Sequence, residues 1–335
     1  MKRINILLIS VLTLLLAACE HKELCYHHPH VTTIRVAFDW REAPKADPEG
    51  MCVFFYPLEE EAASSRYDFT GTTGGQIDIP VGKYRVLCYN NDTEAVLFRG
   101  IESLDTHEAF TRDGGLFEPI YGSGAEAAPR ASGTEEERVV ITPDALWGCV
   151  ATDVEITETG ISYICVPESE KDEWMGRPVV SDEQVITLYP HRLLCLYTYE
   201  IRHVEGLKYV AQMSASLSGM SPALPLATEE PDAEPTTLPF EARHDGEATI
   251  TGGFLTFGQP AANATAHKLA LYVWLADGTK WLYTFDVTGQ VDQAPNPKRV
   301  HIIIDKLTLP EPIGDDSGFH PDVDEWIEEE HDIIM

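Results

Sequence analysis

Apolar residues at every second position, in short runs separated by turn residues, most strongly constrain how this chain can fold. In residues 32–40, TTIRVAFDW, the side chains of Ile34, Val36 and Phe38 fall on one face, which is typical of a half-buried β-strand. The runs MCVFFYP, QIDIPVG, KYRVLCYNND and EAVLFRG follow, with turn residues at 80–82 and 90–92. No helical stripe competes with this pattern, so the region is predicted to be all-β.

The chain from Arg192 onwards repeats the arrangement of the first half. RLLCLYTYEIRHVEG predicts a strand followed by a glycine turn, and LKYVAQMSASLSGMS predicts a second strand. Asp277-Gly278, between two alternating apolar runs, predicts a β-hairpin. Residues 122–138 are small, polar and acidic and are expected to form a mobile surface loop. We therefore expect two similar β-domains with a boundary near Pro190.

A positive start, an apolar run and a cysteine open the chain. Lys2 and Arg3 precede the largely apolar Ile4–Leu15, and Leu-Ala-Ala leads directly to Cys19. This layout is that of a secretory signal peptide, too short and wrongly flanked for a spanning helix. The cysteine after Leu-Ala-Ala resembles the bacterial lipobox, in which the thiol receives lipid with palmitate-type acyl chains and the cysteine becomes the new N-terminus. The alternative is an ordinary signal peptide with a chance cysteine.

These patterns divide the chain into five expected segments: a signal peptide (1–18), a lipidated tether (19–30), an N-terminal β-domain (31–190), a C-terminal β-domain (191–310) and an acidic tail (311–335). The tail carries apolar residues that are expected to dock on the body or on a partner, because full burial of each contributes about 1.5–3 kcal/mol. These residues are Phe319, Trp326, Ile333 and Ile334.

The charge balance excludes one class of partner. Acidic residues outnumber Lys and Arg by 55 to 24, and removal of residues 1–18 would take the formal net charge from −31 to −33. Such a chain has no basic surface with which to release counterions from phosphates, so no nucleic-acid partner is expected. Attachment to a membrane is expected through acyl chains on Cys19, to which each buried methylene contributes about 0.8 kcal/mol.

Six cysteines follow Cys19, and their settings favour buried thiols over a full disulfide framework. Four of them lie in apolar runs, where cysteine behaves as a small buried hydrophobe. An even number in an oxidising compartment also permits disulfides, so that alternative stays open. The six are Cys25, Cys52, Cys88, Cys149, Cys165 and Cys195.

Possible metal ligands cluster in the tether at Cys25, His27, His28 and His30. Their spacing matches no closed zinc site, and the acidic tail lacks the spacing of a calcium loop. The chain also has no Gly-x-Ser-x-Gly elbow, no phosphate-binding P-loop and no His-Glu-x-x-His motif. We therefore expect no metal site, no cofactor and no catalytic residues, and a protein that is not an enzyme.

Several segments together resemble a known family. GMCVFFYP, YDFTG, GKYRVLCYNNDTEAVLFRG, YVAQMSASLSGMSPA and the ending FHPDVDEWIEEEHDIIM are similar to the Bacteroidales fimbrillin-associated anchor lipoproteins of the FimB type, in particular to a branch from gut species. The resemblance spans nearly the whole chain after the signal peptide. It implies that residues 31–190 and 191–310 form two tandem transthyretin-like β-sandwiches.

The same resemblance implies a function. The chain would be a lipid-anchored outer-membrane protein at the cell surface, acting as anchor or accessory subunit of a fimbrium, with fimbrillin-like pilus subunits as partners held by β-strand contacts. An anchor should keep its first strand, whereas a polymerising subunit of this family would be cut by a trypsin-like protease after an arginine such as Arg41. We therefore expect no cut at Arg41.

Two other functions are weighed against the anchor. The β-domains could bind glycan or host protein, for which exposed tryptophans would be needed, and core packing is the alternative role for each candidate. A hydrolase in an all-β scaffold is the third hypothesis, and no motif supports it. The candidate tryptophans are Trp147, Trp174, Trp274 and Trp281.

Overall fold

A computed structural model describes most of the chain after the expected tether. The described residues are 31–59, 62–121, 128–158, 161–162, 179–180, 184–260, 266–312 and 326–331. The segments 1–18 and 19–30, with Cys19, lie outside them. None of the helices in the described ranges is long and apolar enough to cross a membrane.

The first half of the chain is built from short strands. They are β1 (Val31–Phe38), β2 (Gly50–Pro57), β3 (Ser65–Thr70), β4 (Gly74–Pro80), β5 (Gly82–Asn90), β6 (Val96–Arg99), β7 (Glu108–Thr111), β8 (Arg138–Val139), β9 (Trp147–Ile156), β10 (Ile161–Ser162), β11 (Val179–Val180), β12 (Gln184–Leu188) and β13 (His191–Arg192). A 3-10 turn, Leu104–Thr106, and a helical turn, Glu118–Tyr121, interrupt them.

The second half continues in the same way. Its strands are β14 (Cys195–Glu205), β15 (Val210–Met220), β16 (Ala223–Pro225), β17 (Thr236–Glu241), β18 (Arg243–His244), β19 (Ile250–Thr256), β20 (Lys268–Leu275), β21 (Lys280–Asp286), β22 (Arg299–Thr308) and β23 (Trp326–His331). The helical elements are a 3-10 turn at Leu207–Tyr209 and a helical turn at Thr288–Asp292.

Two β-sandwiches result. In the N-terminal sandwich, a sheet of order β12-β1-β4 faces a sheet of order β13-β9-β5-β2-β3, and apolar side chains of both sheets form one core. In the C-terminal sandwich, β18-β19-β14-β22 faces β23-β21-β20-β15-β17-β8 around a second core. The predicted all-β fold class with two tandem sandwiches is confirmed.

The two sandwiches share a topology. β1, the first strand of its half, pairs antiparallel with β4 and parallel with β12. β14, the first long strand of the second half, pairs antiparallel with β19 and parallel with β22. The predicted similarity of the two halves is therefore confirmed at the level of strand arrangement, as is the hairpin at Asp277-Gly278, which joins β20 to β21.

The continuous apolar sequence of β2 reflects burial on both faces. Val53 and Phe55 point into the core of the N-terminal sandwich, whereas Phe54 and Tyr56 point to its outer side. There a third sheet, of order β16-β7-β6, covers them. A strand covered on both faces loses the alternation of a half-buried strand, which explains why MCVFFYP lacks the two-residue period of β1.

Two strands cross the predicted boundary at residue 190. β16, from the second half, pairs with β7 in the covering sheet, and β8, from the first half, pairs with β17 in the C-terminal sandwich. The two halves are therefore joined by hydrogen-bonded strands as well as by the connecting chain. The boundary itself stays a prediction.

Part of the segment that was expected to be a mobile loop packs on the C-terminal sandwich. Residues 122–127 lie outside the described residues, but Ala131 and Thr134 are each 4% exposed. Ala131 joins an apolar cluster with Leu116, Phe117 and Tyr272 on the outer face of the six-stranded sheet. The expectation of a loop without packing residues was wrong for residues 128–138, because alanines fill small gaps that no apolar periodicity reveals.

Candidate functional site

The first described strand is built into the middle of a sheet. β1 is paired on both sides, from Ile34 to Phe38 with β12 and from Val31 to Ala37 with β4. Ile34 and Val36 are completely buried in the sandwich core. The strand that directly follows the expected tether is therefore integral to the N-terminal sandwich.

Arg41, at which no cut is expected, lies in a turn just after β1. The backbone N–H of Ala43 donates to the carbonyl oxygen of Trp40 at 3.0 Å, which closes the turn around Arg41. The Arg41 guanidinium donates to the Asp39 carboxylate at 2.6 Å and lies 5.0 Å from the ring centre of Tyr189. The hydrogen bond from Arg41 lowers the pKa of Asp39, so the pair stays charged at neutral pH.

Trp326, one of the predicted docking residues of the tail, packs on the body of the protein. Its ring stacks on Phe117 at 5.6 Å and meets Tyr272 and Trp274 edge-on at 5.4 and 5.1 Å. β23 thereby adds to the C-terminal sandwich as a parallel neighbour of β21. Docking of Trp326 is confirmed, and Phe319, Ile333 and Ile334 lie outside the described residues.

β23 forms an acidic edge. In the part of the chain that the structure describes, its outer side pairs with no other strand. Glu328, Glu329 and Glu330 are exposed along it, and Ile327 is 41% exposed. An unpaired edge is a template for another strand, and charged side chains restrict which strand can add to it.

A buried polar cluster lies around His107, and no local pattern in the sequence indicates it. Its two ring nitrogens lie 2.6 Å from the Tyr56 hydroxyl and 3.1 Å from the Tyr89 hydroxyl. The ring of Phe54 meets the imidazole edge-on at 4.9 Å. Burial, the largest cause, lowers the pKa of His107 to about 4, so the ring is neutral at pH 7. The three polar residues lie between the five-stranded sheet and its covering sheet and link the two.

The tryptophans considered for glycan binding are partly buried where the structure describes them, and two of them pack against other rings. Trp147, Trp274 and Trp281 are all partly buried; Trp274 belongs to the cluster around Trp326, and Trp281 stacks on Tyr283 at 5.9 Å. Trp174 lies outside the described residues. Binding of glycan or host protein stays a hypothesis.

An open groove of about 410 Å³ lies beside the six-stranded sheet. Its lining includes the apolar side chains of Ile141, Phe240 and Phe254. The carboxylates of Glu118 and Glu241 also line it, and each forms an ion pair with an arginine. The groove therefore offers both apolar and polar contacts.

The possible metal ligands of the tether and the expected lipidation residue lie outside the residues that the structure describes. Within the described ranges, no group of three or more His, Cys, Asp or Glu side chains is arranged to hold a metal ion. The cluster Cys25, His27, His28 and His30, at which no metal site is expected, and the predicted lipidation site Cys19 lie outside those ranges, so both expectations stay predictions.

This chain is similar in sequence to a described protein family and to a named bacterial protein. The family described as a domain of unknown function, DUF5119, matches residues 18–241. A protein of Bacteroides ovatus named as a candidate fimbrium anchoring subunit, Fim4B, is 26% identical over 246 residues, which are 73% of this chain. The matched region spans 62% of that relative's length. The resemblance to fimbrial anchor proteins is thereby confirmed.

One of two similar solved structures supports the fold. A candidate adhesin from Bacteroides ovatus superposes with a TM-score of 0.58 at 22% identity, covering 84% of this chain and 95% of the other. The fimbrial anchor protein Mfa2 of Porphyromonas gingivalis gives a TM-score of 0.45 at 12% identity, covering 82% and 91% of the two chains. The first similarity supports the two-sandwich fold, and the second is too distant to carry an argument.

Proposed function

The chain belongs to the DUF5119 family, and we propose that it is a lipid-anchored outer-membrane protein that fixes a fimbrium to the cell surface. In this role it is an anchor or accessory subunit without catalysis. Its partners are fimbrillin-like subunits, which it holds by β-strand contacts. The sequence relative named as an anchoring subunit supports the proposal.

The observation that carries the proposal is the place of β1. The strand begins at Val31, twelve residues after Cys19, so a lipid on Cys19 would hold the fold within about 40 Å of the bilayer even with the tether fully extended. Because β1 is the central strand of its sheet, a pull on the lipid acts directly on the sandwich core. Such a connection suits a protein that carries a mechanical load.

The turn at Arg41 supports an uncut chain. Proteases bind the residues around the scissile bond in an extended form, whereas Arg41 lies inside a hydrogen-bonded turn and its guanidinium is held by Asp39. Cleavage there requires local opening of a segment that is tied to the sandwich on both sides. A cut would also separate the body from Cys19, which an anchor cannot allow.

The acidic edge strand β23 suits the subunit contact. It lies 307 residues after Cys19 in sequence and belongs to the other sandwich. Its three consecutive glutamates repel a second copy of the same edge and favour an added strand with basic side chains. With this arrangement, one copy of the chain would attach one fimbrial subunit and would not polymerise with other copies of itself.

The decisive experiment removes the lipid. In cells that express the Cys19→Ala chain, fimbrillin-like subunits should move from the cell pellet to the culture medium, because fimbriae assemble but are not held. Cys25→Ala, a second cysteine outside the Leu-Ala-Ala-Cys motif, is the matched control and should leave fimbriae on the cells. Fimbriae that remain cell-bound with Cys19→Ala would refute the anchor.

The side of the outer membrane on which the protein lies is tested on the same cells. A protease added to intact cells should degrade the wild-type protein if it is displayed at the surface. A protein that survives this treatment, but is degraded after lysis, would place the chain on the periplasmic side.

A further inference from the structure

Two buried cysteines face each other across neighbouring strands. Cys88 on β5 is the register partner of Cys149 on β9, and their sulfur atoms are 3.3 Å apart. Residues directly opposite in an antiparallel pair have Cα atoms about 4.5 or 5.5 Å apart. Both separations fall within the range of about 4.4–6.8 Å that a disulfide requires.

The pair differs from the other described cysteines. Cys52 hydrogen-bonds through its thiol to the carbonyl oxygen of Tyr89, and Cys195 lies beside Gly258. Among the described residues, only Cys88 and Cys149 have a second thiol within bonding reach. Both belong to the core of the N-terminal sandwich, where Cys88 is completely buried.

We propose that Cys88 and Cys149 form a disulfide in the exported protein. This inference rests on the proposed function, which places the chain in the envelope, where disulfides persist. Two thiols lose two protons and two electrons as the sulfur–sulfur bond forms. The electrons pass to the disulfide of an envelope thiol oxidoreductase, which is reduced to its dithiol.

The bond forms during folding and not afterwards. Burial raises the pKa of Cys88 well above its ordinary value, so in the folded chain this thiol offers almost no thiolate, the form that attacks a disulfide. Before the sheet closes, both thiols are accessible to the oxidoreductase. Once the core has closed, the same burial protects the disulfide from reduction.

The disulfide would limit how far the anchor stretches under load. It would join β5 to β9 across 61 residues, in the sheet that faces β1. Under force, those residues could not extend. The contour length released when the N-terminal sandwich unfolds would be shorter by about 220 Å, taking about 3.6 Å per extended residue.

The first test is made on the protein from the cells that export it. The envelope fraction is denatured in N-ethylmaleimide, digested and analysed by mass spectrometry. We expect a linked pair of peptides containing Cys88 and Cys149, lighter by two hydrogens than the free peptides, and no maleimide on either residue. Maleimide on both cysteines in protein recovered from the envelope would overturn the disulfide while leaving export intact.

The second test does not depend on export. The reduced, unfolded chain is refolded with glutathione disulfide, and the same linkage between Cys88 and Cys149 is expected. Refolding that leaves both thiols free, or that pairs them with other cysteines, overturns the proposal. Cys52→Ala is the matched control and should keep the linkage. In single-molecule pulling, dithiothreitol applied to the unfolded chain should lengthen it by about 220 Å, and should not lengthen a chain carrying both Cys88→Ala and Cys149→Ala.

Discussion

Replacing Trp326 by alanine should release the last described strand and leave both sandwiches folded. Trp326 is the residue of β23 that packs against three aromatic rings, those of Phe117, Tyr272 and Trp274. The exposed glutamates that follow it contribute little burial. The docking of the strand therefore depends on this one side chain more than on any other.

The size of the effect follows from the buried area. A fully buried tryptophan removes about 150–250 Å² from water, and Trp326 is partly buried. Half of that area, at about 25 cal/mol per Å², corresponds to roughly 2–3 kcal/mol. This loss would shift the docking equilibrium by about 30- to 150-fold. Fixing the backbone of each residue costs about 1–2 kcal/mol of conformational entropy. The net free energy that keeps a six-residue strand docked is therefore small.

Hydrogen exchange measures this directly. The amides of β23 and those of its neighbour β21 should exchange faster in Trp326→Ala, while the melting temperature of the body changes little. Ile327→Ala is the matched control, because Ile327 is adjacent and 41% exposed, and it should keep wild-type protection. Equal protection of β23 in the two variants would refute the argument, as would unfolding of the C-terminal sandwich in Trp326→Ala.

Two further predictions concern acid stability and proteolysis. The pKa of His107 is lowered from 6.5 to about 4 in the folded protein. Between these pH values the unfolded chain binds a proton that the folded chain does not. The free energy of unfolding should therefore fall by up to about 3 kcal/mol as the pH drops from 6.5 to 4. Urea unfolding should show a steeper loss of stability in the wild type than in His107→Gln over this pH range, and parallel profiles would contradict it. Trypsin should cut the folded protein after Arg41 slowly, and Asp39→Ala should speed that cut several-fold by freeing the guanidinium. A mass-spectrometric time course for the fragment starting at Glu42 checks this, and rapid wild-type cleavage would contradict it.

Local patterns predicted much of the fold. The alternation in residues 32–40 located β1, and Asp277-Gly278 located the hairpin of β20 and β21. Apolar surroundings identified Cys52, Cys88 and Cys195 as buried. The aromatic character of Trp326 in a charged tail predicted that it would dock. Each of these signals lies within a few neighbouring residues, which is why one sequence is enough to find it.

Other features depend on contacts between distant residues. The His107 cluster unites side chains 51 and 18 residues apart, and the two facing thiols are 61 residues apart. The continuous apolar run of β2 did not reveal that a third sheet, completed by β16 from the other half, covers its outer face. Such pairings are set by strand register and sheet order, which local sequence does not encode.

The sequence by itself determined the class of the fold, the strands with clear alternation, the excess of acidic residues and the position at which a lipid is expected. Only the tertiary structure decided that β1 is a central strand, that residues 326–331 form an acidic edge and that Cys88 meets Cys149. The physical reason is the distance along the sequence over which each interaction acts. Side-chain periodicity and turn preference act over a few residues, whereas the burial and pairing of a strand depend on which distant strands lie beside it.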